Sequence, residues 1–367
     1  MSEQTASSIL QIDKYMTLKP VNEDGLEFHS PFEEPFRLSG SAFQQEHGSC
    51  FRRLPLEPVI NPRIDLLAWY TAGMQLQFKS SSMHVTIKAK LRHGELMYHM
   101  PQTGSSSFDL YVGGPGNWRS VRSASFALHA SEFTAELYKS TTPGMREYLI
   151  NFPLYNGVEE LWIGLDENCT ILPPSPRTSD RPLIVYGTSI TQGGCASRPG
   201  LAWTNILSRW HNCEVYNFGF SGNGKGETQM AEFLSRIPDP SGFVLDYEAN
   251  VNLEVLKSTL ENFIAVLRKY HPLVPVTVVS LLPQNNRMVE FGADDQFAVV
   301  APDEEATCEF QRSVVQKLRD AGDEQIFFID GHKLLGMDWD ECTMDGTHLN
   351  DLGFYRMAEN INKYLRF

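Results

Sequence analysis

The residues whose types could do chemistry lie in the second half of the chain, in four short phrases. Ser189 follows Gly187-Thr188, Gly222 sits in Ser221-Gly222-Asn223-Gly224, Asn250 follows Glu248-Ala249, and His348 stands three residues after Asp345. A serine hydroxyl is a weak nucleophile at neutral pH and needs a neighbouring base to take its proton. Histidine is the side chain best suited to that exchange, and an aspartate three residues away on one local turn can hold its tautomer. Taken singly, each residue has a plainer reading. Ser189 suits a helix N-cap, Asn250 suits the cap of a helix starting near Leu253, and Asp345-Gly346 suits a turn.

The elements that must position these residues follow from apolar periodicity. Short apolar runs at Leu183–Tyr186, Val215–Phe218, Phe243–Tyr247, Val276–Leu282 and Ile326–Ile329 alternate with helix-compatible stretches at Leu201–Trp210, Glu227–Ile237, Leu253–Tyr270, Glu304–Ala321 and Leu352–Leu365. Near-continuously apolar strands alternating with helices predict a parallel sheet covered on both faces. Ligands of such sheets bind beyond the carboxyl ends of the strands, which is where Ser189, Gly222 and Asn250 fall. The first half has another rhythm. Met83–Leu91 alternates with period two, and Ala68–Phe78, Phe108–Val112, Glu132–Tyr138, Glu147–Phe152 and Leu161–Leu165 are further strand-like runs between Gly- and Pro-rich turns. That pattern predicts a β-sandwich of jelly-roll type over residues 1–172. Residues 173–182, with four prolines in ten, read as a stiff linker to an α/β domain at 183–367.

The order of the four phrases resembles the SGNH/GDSL hydrolase superfamily, whose blocks supply serine, glycine, asparagine and histidine in that sequence. The longer phrases Ser189–Gly200 and Asn217–Gly224 are similar to those of a two-domain subgroup, and Arg53-Leu54-Pro55 with Phe108-Asp109-Leu110-Tyr111 resembles its N-terminal domain, named for a Gly-x-Asp-Leu-Tyr motif. Ser107 replaces the motif's glycine. The resemblance implies a flavodoxin-like three-layer α/β/α hydrolase domain behind the β-sandwich. It also implies hydrolysis of a carboxylic ester through an acyl-serine, without metal or organic cofactor. Ser189 is then the nucleophile, His348 the base and Asp345 its partner. The N–H groups of Ser189 and Gly222 and the Asn250 amide form the oxyanion hole. Arg198 is a candidate substrate contact or, equally, an ion-pair partner. Many relatives act on acetyl or other small acyl groups of carbohydrates or small molecules. Two further readings stay open: transfer of the acyl group to an alcohol, and carbohydrate binding on a degenerate scaffold. Two departures bear on the site. Thr188 replaces the usual aspartate before the serine, and Glu248-Ala249-Asn250-Val251 replaces Gly-x-Asn-Asp, a change expected to reshape the cleft.

Composition narrows the remaining classes. The 367 residues exceed what one core usually organises, and 42% hydrophobic with 21% charged residues is a globular balance. With 31 basic against 45 acidic side chains the net charge is −14, which disfavours nucleic acid and anionic membranes as partners. A small-molecule or carbohydrate ester is the expected partner, with the β domain as cleft wall, sugar contact or homo-oligomer surface. The residues Met1–Lys19 show no secretory pattern, and six scattered cysteines without a CxxC pair predict free thiols in a reducing cytoplasm rather than a metal site. Gly219-x-x-x-x-Gly224-Lys225 has the spacing of a phosphate loop, but Gly226 stands where the magnesium-binding hydroxyl belongs. Ser221 and the cysteines near the motifs, Cys195 and Cys342, read as backbone-bonding and packing residues. Glu290–Glu309, with seven acids and no base, reads as a long loop that either borders the active-site mouth or is simply solvated.

Overall fold

A computed structural model of the chain describes residue 13 and residues 17–93, 97–285 and 302–365. Its first half folds as two antiparallel sheets. One has the order β1 (Leu26–His29), β9 (Val158–Asp166), β4 (His84–Leu91), β7 (Glu132–Lys139). The other runs β10 (Ile171–Leu172), β3 (Gln75–Ser80), β8 (Arg146–Asn151), β5 (Asp109–Val112), β6 (Arg119–Ser123), with β2 (Arg37–Ser39) also on β3. Alternate residues of each strand, such as Val85, Ile87 and Ala89 of β4 and Leu76 and Phe78 of β3, bury into one core between the sheets. This is the expected sandwich. The run Ala68–Phe78 is corrected at its start: Pro62–Ala68 is a helix, capped by the Asn61 side chain, which accepts from the N–H groups of Arg63 and Ile64, with Pro62 in its first turn. Ala68 thus ends a helix set by that cap and N-terminal proline, and the strand begins only at Gln75, after a turn.

The second half is one five-stranded parallel sheet in the order β12 (Cys213–Gly219), β11 (Ser179–Gly187), β13 (Gly242–Asp246), β14 (Val276–Val279), β15 (Ile326–Ile329). Numbered within the domain the order is 2-1-3-4-5, the doubly wound arrangement. Leu183 and Val185 face Trp203, Ile206, Phe354 and Met357 on one side. Ile184 and Tyr186 face Leu256, Leu260 and Phe263 on the other. Helix Leu253–Tyr270 shows why such segments are helical. Asn252 caps it by accepting from Val255 N–H, while Leu256, Leu260, Phe263, Ile264 and Leu267 form one buried stripe, with Arg268 and Lys269 at its negative end. Among the described residues, no helix is long and apolar enough to cross a membrane.

The proline-rich stretch is tied to its surroundings. Ser175 donates its N–H and hydroxyl to Glu147 at 2.8 and 2.6 Å, and Arg177 bonds Glu214 and Ser39 at 2.7 and 2.6 Å. β11 already begins at Ser179. The two halves also share cores. Phe43, Leu54, Ile64 and Leu67 pack into one face of the parallel domain, and Ala72, Met100 and Leu154 into the other. Of the acidic segment Glu290–Glu309, residues up to 301 lie outside the described residues, and the remainder belongs to the helix Pro302–Asp320 rather than to a loop.

Candidate active site

Three strand ends lie level: Gly187 of β11 pairs with Gly219 of β12 on one side and Asp246 of β13 on the other. The loops that carry Ser189, Gly222 and Asn250 therefore start side by side. After β11 the chain makes a single helical turn, Ser189–Gln192, across these ends. A Cβ at Gly187 would lie 2.2 Å from Thr191 Oγ1, and one at Gly219 would lie 2.1 Å from the Gln192 nitrogen. Glycine at both positions is what lets the turn sit this low on the sheet. Thr188 caps the turn, its hydroxyl accepting from Ile190 N–H. Thr188 thus fills a local hydrogen-bonding role at the position where the family pattern has aspartate. The Ser189 carbonyl accepts from Gly193 N–H at 3.0 Å, Gly194 N–H at 2.8 Å and the Tyr155 hydroxyl at 3.3 Å, which fixes the backbone of a side chain only 8% exposed.

His348 reaches this serine from the loop before the last helix. Its Nε2 lies 2.9 Å from Ser189 Oγ, and its Nδ1 lies 2.8 Å from Asp345 Oδ2. With the proton on Nδ1 donated to the carboxylate, Nε2 is the acceptor for the serine hydroxyl. Asp345 is also the turn former: its Oδ1 accepts from the N–H groups of Thr347 at 3.0 Å and His348 at 2.7 Å. One carboxylate therefore both forms the turn and holds the imidazole. Burial works to raise the Asp345 carboxyl, but the bonds from His348 and Thr347 outweigh it and hold the group below the usual carboxylate range.

Asn250 ends the short turn Glu248–Asn250 after β13, and its Nδ2 lies 3.3 Å from the carbonyls of both Phe220 and Gly224. It is thereby brought against the turn that contains Gly222, whose φ is +66°. Glu248 points the other way, bonding Leu281 N–H at 2.7 Å and the side chains of Thr307 and Gln311, so this acid anchors the helix Pro302–Asp320. Ser221 donates its N–H to Gln192 Oε1 at 3.0 Å, in keeping with a backbone-bonding residue. Arg198 lies in the interface between the two halves. Its Nη1 is 2.7 Å from Asp109 Oδ2 and 2.6 Å from the Tyr111 hydroxyl, two residues of the Asp-Leu-Tyr phrase. Cys195 and Cys342 are buried in the core beneath the site, and all six cysteines are free.

Sequence reasoning missed what the first half adds. The His99 ring lies 5.5 Å from that of His348, and its Nδ1 is buried with no hydrogen-bond partner among the described residues. Tyr155 closes the serine turn from the same side. No local pattern marks either residue, because both act across more than thirty residues of chain. His99, Cys195, Asp345 and His348 each present one atom able to ligate a metal, all within 4.8 Å of one another. Both ring nitrogens of His348 are already engaged, and burial, with Asp345 adding to it, pushes the Cys195 thiol up to about 12. Within this set His348 and Asp345 are thus already engaged with each other and with Ser189, and the Cys195 thiol is held protonated.

The profile of the GDSL-like lipase/acylhydrolase family matches residues 180–366, and that of the N-terminus of SGNH hydrolase-type esterases (GxDLY) matches residues 26–171. Among solved structures, a protein from Bacteroides ovatus described as a GDSL-like lipase is 27% identical. The match covers 92% of this chain and 96% of that one, with a TM-score of 0.82. A salicylyl-acyltransferase from a tetracycline biosynthetic pathway shares the fold at 19% identity and TM-score 0.73, covering 93% and 97%. A family two carbohydrate esterase from Clostridium thermocellum, solved with cellohexaose, shares it at 13% identity and TM-score 0.57, covering 80% and 91%. No curated protein matches the chain. A serine at the end of the first parallel strand, a histidine on its hydroxyl and a family profile spanning the whole α/β half lead to one conclusion: the chain belongs to the GDSL-like lipase/acylhydrolase family and is an ester hydrolase.

Proposed function

We propose that the enzyme removes a small acyl group, such as acetyl, from a carbohydrate or small-molecule alcohol through an acyl intermediate on Ser189. The observation that carries this reading is the continuous hydrogen-bonded line Ser189 Oγ–His348 Nε2 and His348 Nδ1–Asp345 Oδ2, at 2.9 and 2.8 Å. Ser189 Oγ attacks the ester carbonyl while His348 takes its proton. The imidazolium is stabilised by Asp345 and then gives that proton to the departing alcohol. Water, deprotonated by His348, next attacks the acyl-serine, and the proton returns to Ser189 as the acid leaves. The oxyanion of each tetrahedral intermediate is met by the N–H groups of Ser189 and Gly222 and by the Asn250 amide. Its two long contacts to Phe220 and Gly224 leave that amide ready to turn one N–H toward the developing charge. The pairing of Arg198 with Asp109 supports an ion-pair role for it ahead of contact with the ester.

The low exposure of Ser189, 8%, supports a short acyl group, and the shared fold with a carbohydrate esterase supports a sugar alcohol. Six free thiols support a cytoplasmic setting. Acetate release from acetylated sugars and turnover of aryl esters of increasing acyl length test the substrate class. Activity should fall steeply beyond the shortest chains; a preference for eight-carbon acyl groups would contradict the reading. Acyl transfer to an alcohol is the second reading, favoured by the fold shared with the acyltransferase. Partitioning of the acyl group between water and added alcohols separates the two.

A further inference from the structure

Arg53 belongs to the N-terminal half, yet its guanidinium is spent on the hydrolase half. Only 1% exposed, it donates from Nη1 to the carbonyls of Asn217 at 2.9 Å and Gly219 at 2.7 Å, and from Nη2 to that of Leu67 at 2.7 Å. Its Cζ stands 4.7 Å from the centre of the Phe220 ring, and its Nε is buried with no partner among the described residues. Every hydrogen-bond partner here is a carbonyl, not a carboxylate. Burial lowers its proton affinity, with Tyr155 opposing and the neighbouring cation Arg52 adding to the effect. A buried charge without a counter-ion is costly and is kept only where directed bonds hold it.

What those bonds hold is the end of β12 and the turn that follows. The Gly219–Phe220 peptide is gripped at both ends: its carbonyl receives Arg53, and its N–H donates to Gly187 O at 3.0 Å, just before the serine turn. The next carbonyl, of Phe220, receives the N–H groups of Asn223 and Gly224, each at 3.0 Å, and the Asn250 amide. We propose that Arg53 is a positioning residue for transition-state stabilisation, supplied across the domain boundary. It fixes the peptide planes from which the Gly222 turn and the Asn250 side chain are hung. The proposal rests on the acyl-serine reading above. It makes the N-terminal half part of the catalytic apparatus rather than only a cleft wall.

The test compares Arg53→Met and Arg53→Lys with wild type by kcat and KM on an aryl acetate, with active sites titrated by an organophosphonate so that only folded enzyme is counted. Thermal midpoints are recorded alongside. Misplacing an oxyanion donor costs on the order of 10²-fold, so kcat per titrated site should fall roughly 100-fold in Arg53→Met, with KM within about threefold. Arg53→Lys keeps the charge but loses the planar fork, and should fall by at least about tenfold. It decides the matter if Arg53→Met does not fold. A kcat per site within about twofold of wild type in a folded variant would overturn the proposal, however far the melting temperature drops, because Arg53 would then be a structural staple only. Ser189→Ala is run in parallel. Retained activity there overturns the acyl-serine reading itself, whereas an inactive Ser189→Ala beside normal Arg53 variants overturns the Arg53 proposal alone.

Discussion

Replacing Asp109 by alanine separates the two roles open to Arg198. The Asp109 carboxylate is fully buried and accepts three donors: Arg198 Nη1 at 2.7 Å, Gly200 N–H at 3.0 Å and Asn151 Nδ2 at 2.7 Å. Removing it strands a cation and leaves the buried Gly200 N–H without its acceptor. Breaking a buried pair from one side costs about 3–5 kcal/mol. Arg198 keeps the Tyr111 hydroxyl and is 23% exposed, which moves the expectation to the lower end, about 3 kcal/mol. At about 2 °C per kcal/mol for a chain of this size, the melting temperature should drop by roughly 6 °C. Calorimetry of Asp109→Ala, Arg198→Met and the double variant measures this, and the pair should show a coupling of about 1–3 kcal/mol. KM per folded enzyme should stay near the wild-type value in all three. An unchanged melting temperature in Arg198→Met together with a raised KM would refute the reasoning and make Arg198 a substrate contact.

Asn250→Ala should lower kcat by about 10²–10³-fold with little change in KM, since its amide is proposed to act on the transition state; steady-state kinetics on an aryl acetate checks this. Burial raises the Asp246 carboxyl to about 7, with Thr191 opposing and Glu248 adding to the shift. An unfolded aspartate titrates near pH ~4, so between about pH 4 and 7 the folded state holds a proton the unfolded chain has lost, and stability falls as pH rises. Asp246→Asn keeps an acceptor for the Thr191 hydroxyl and should remove that slope, gaining up to about 4 kcal/mol in urea unfolding at pH 8, whereas a loss there would contradict the assignment. A Cβ on Gly104 would lie 1.9 Å from the Ala196 carbonyl oxygen, so Gly104→Ala should cost about 1–3 kcal/mol by forcing the two halves apart, read as a lowered melting temperature.

The parallel half was legible because its strands are buried on both faces and its helices carry long single stripes, as Leu256 to Leu267 show. Ser189 and Asn250 were readable as candidates because each falls just beyond a strand whose end the periodicity marks, and His348 because it stands in the Asp345-x-x-His348 phrase just before the last helix. The sandwich was less so. β6, Arg119–Ser123, is almost wholly exposed and offers no alternation, and the two-residue β10 is too short to have any. Arg53, His99 and Tyr155 were beyond reach for another reason. Their surroundings come from segments distant in the chain, and only the folded packing shows that an arginine in a short motif faces three carbonyls. Arg198 was visible as a charge, but its partner Asp109 lies 89 residues away.

The central claim is that Ser189 is the acyl-carrying nucleophile, and covalent labelling tests it most directly. Wild type and Ser189→Ala are exposed to an organophosphonate and mapped by mass spectrometry, with aryl acetate hydrolysis followed in the same samples. The account predicts a single adduct on the peptide carrying Ser189, with activity lost in step with labelling, and neither adduct nor turnover in the variant. Turnover that survives in Ser189→Ala, or an adduct placed on another residue such as Ser221, would contradict it.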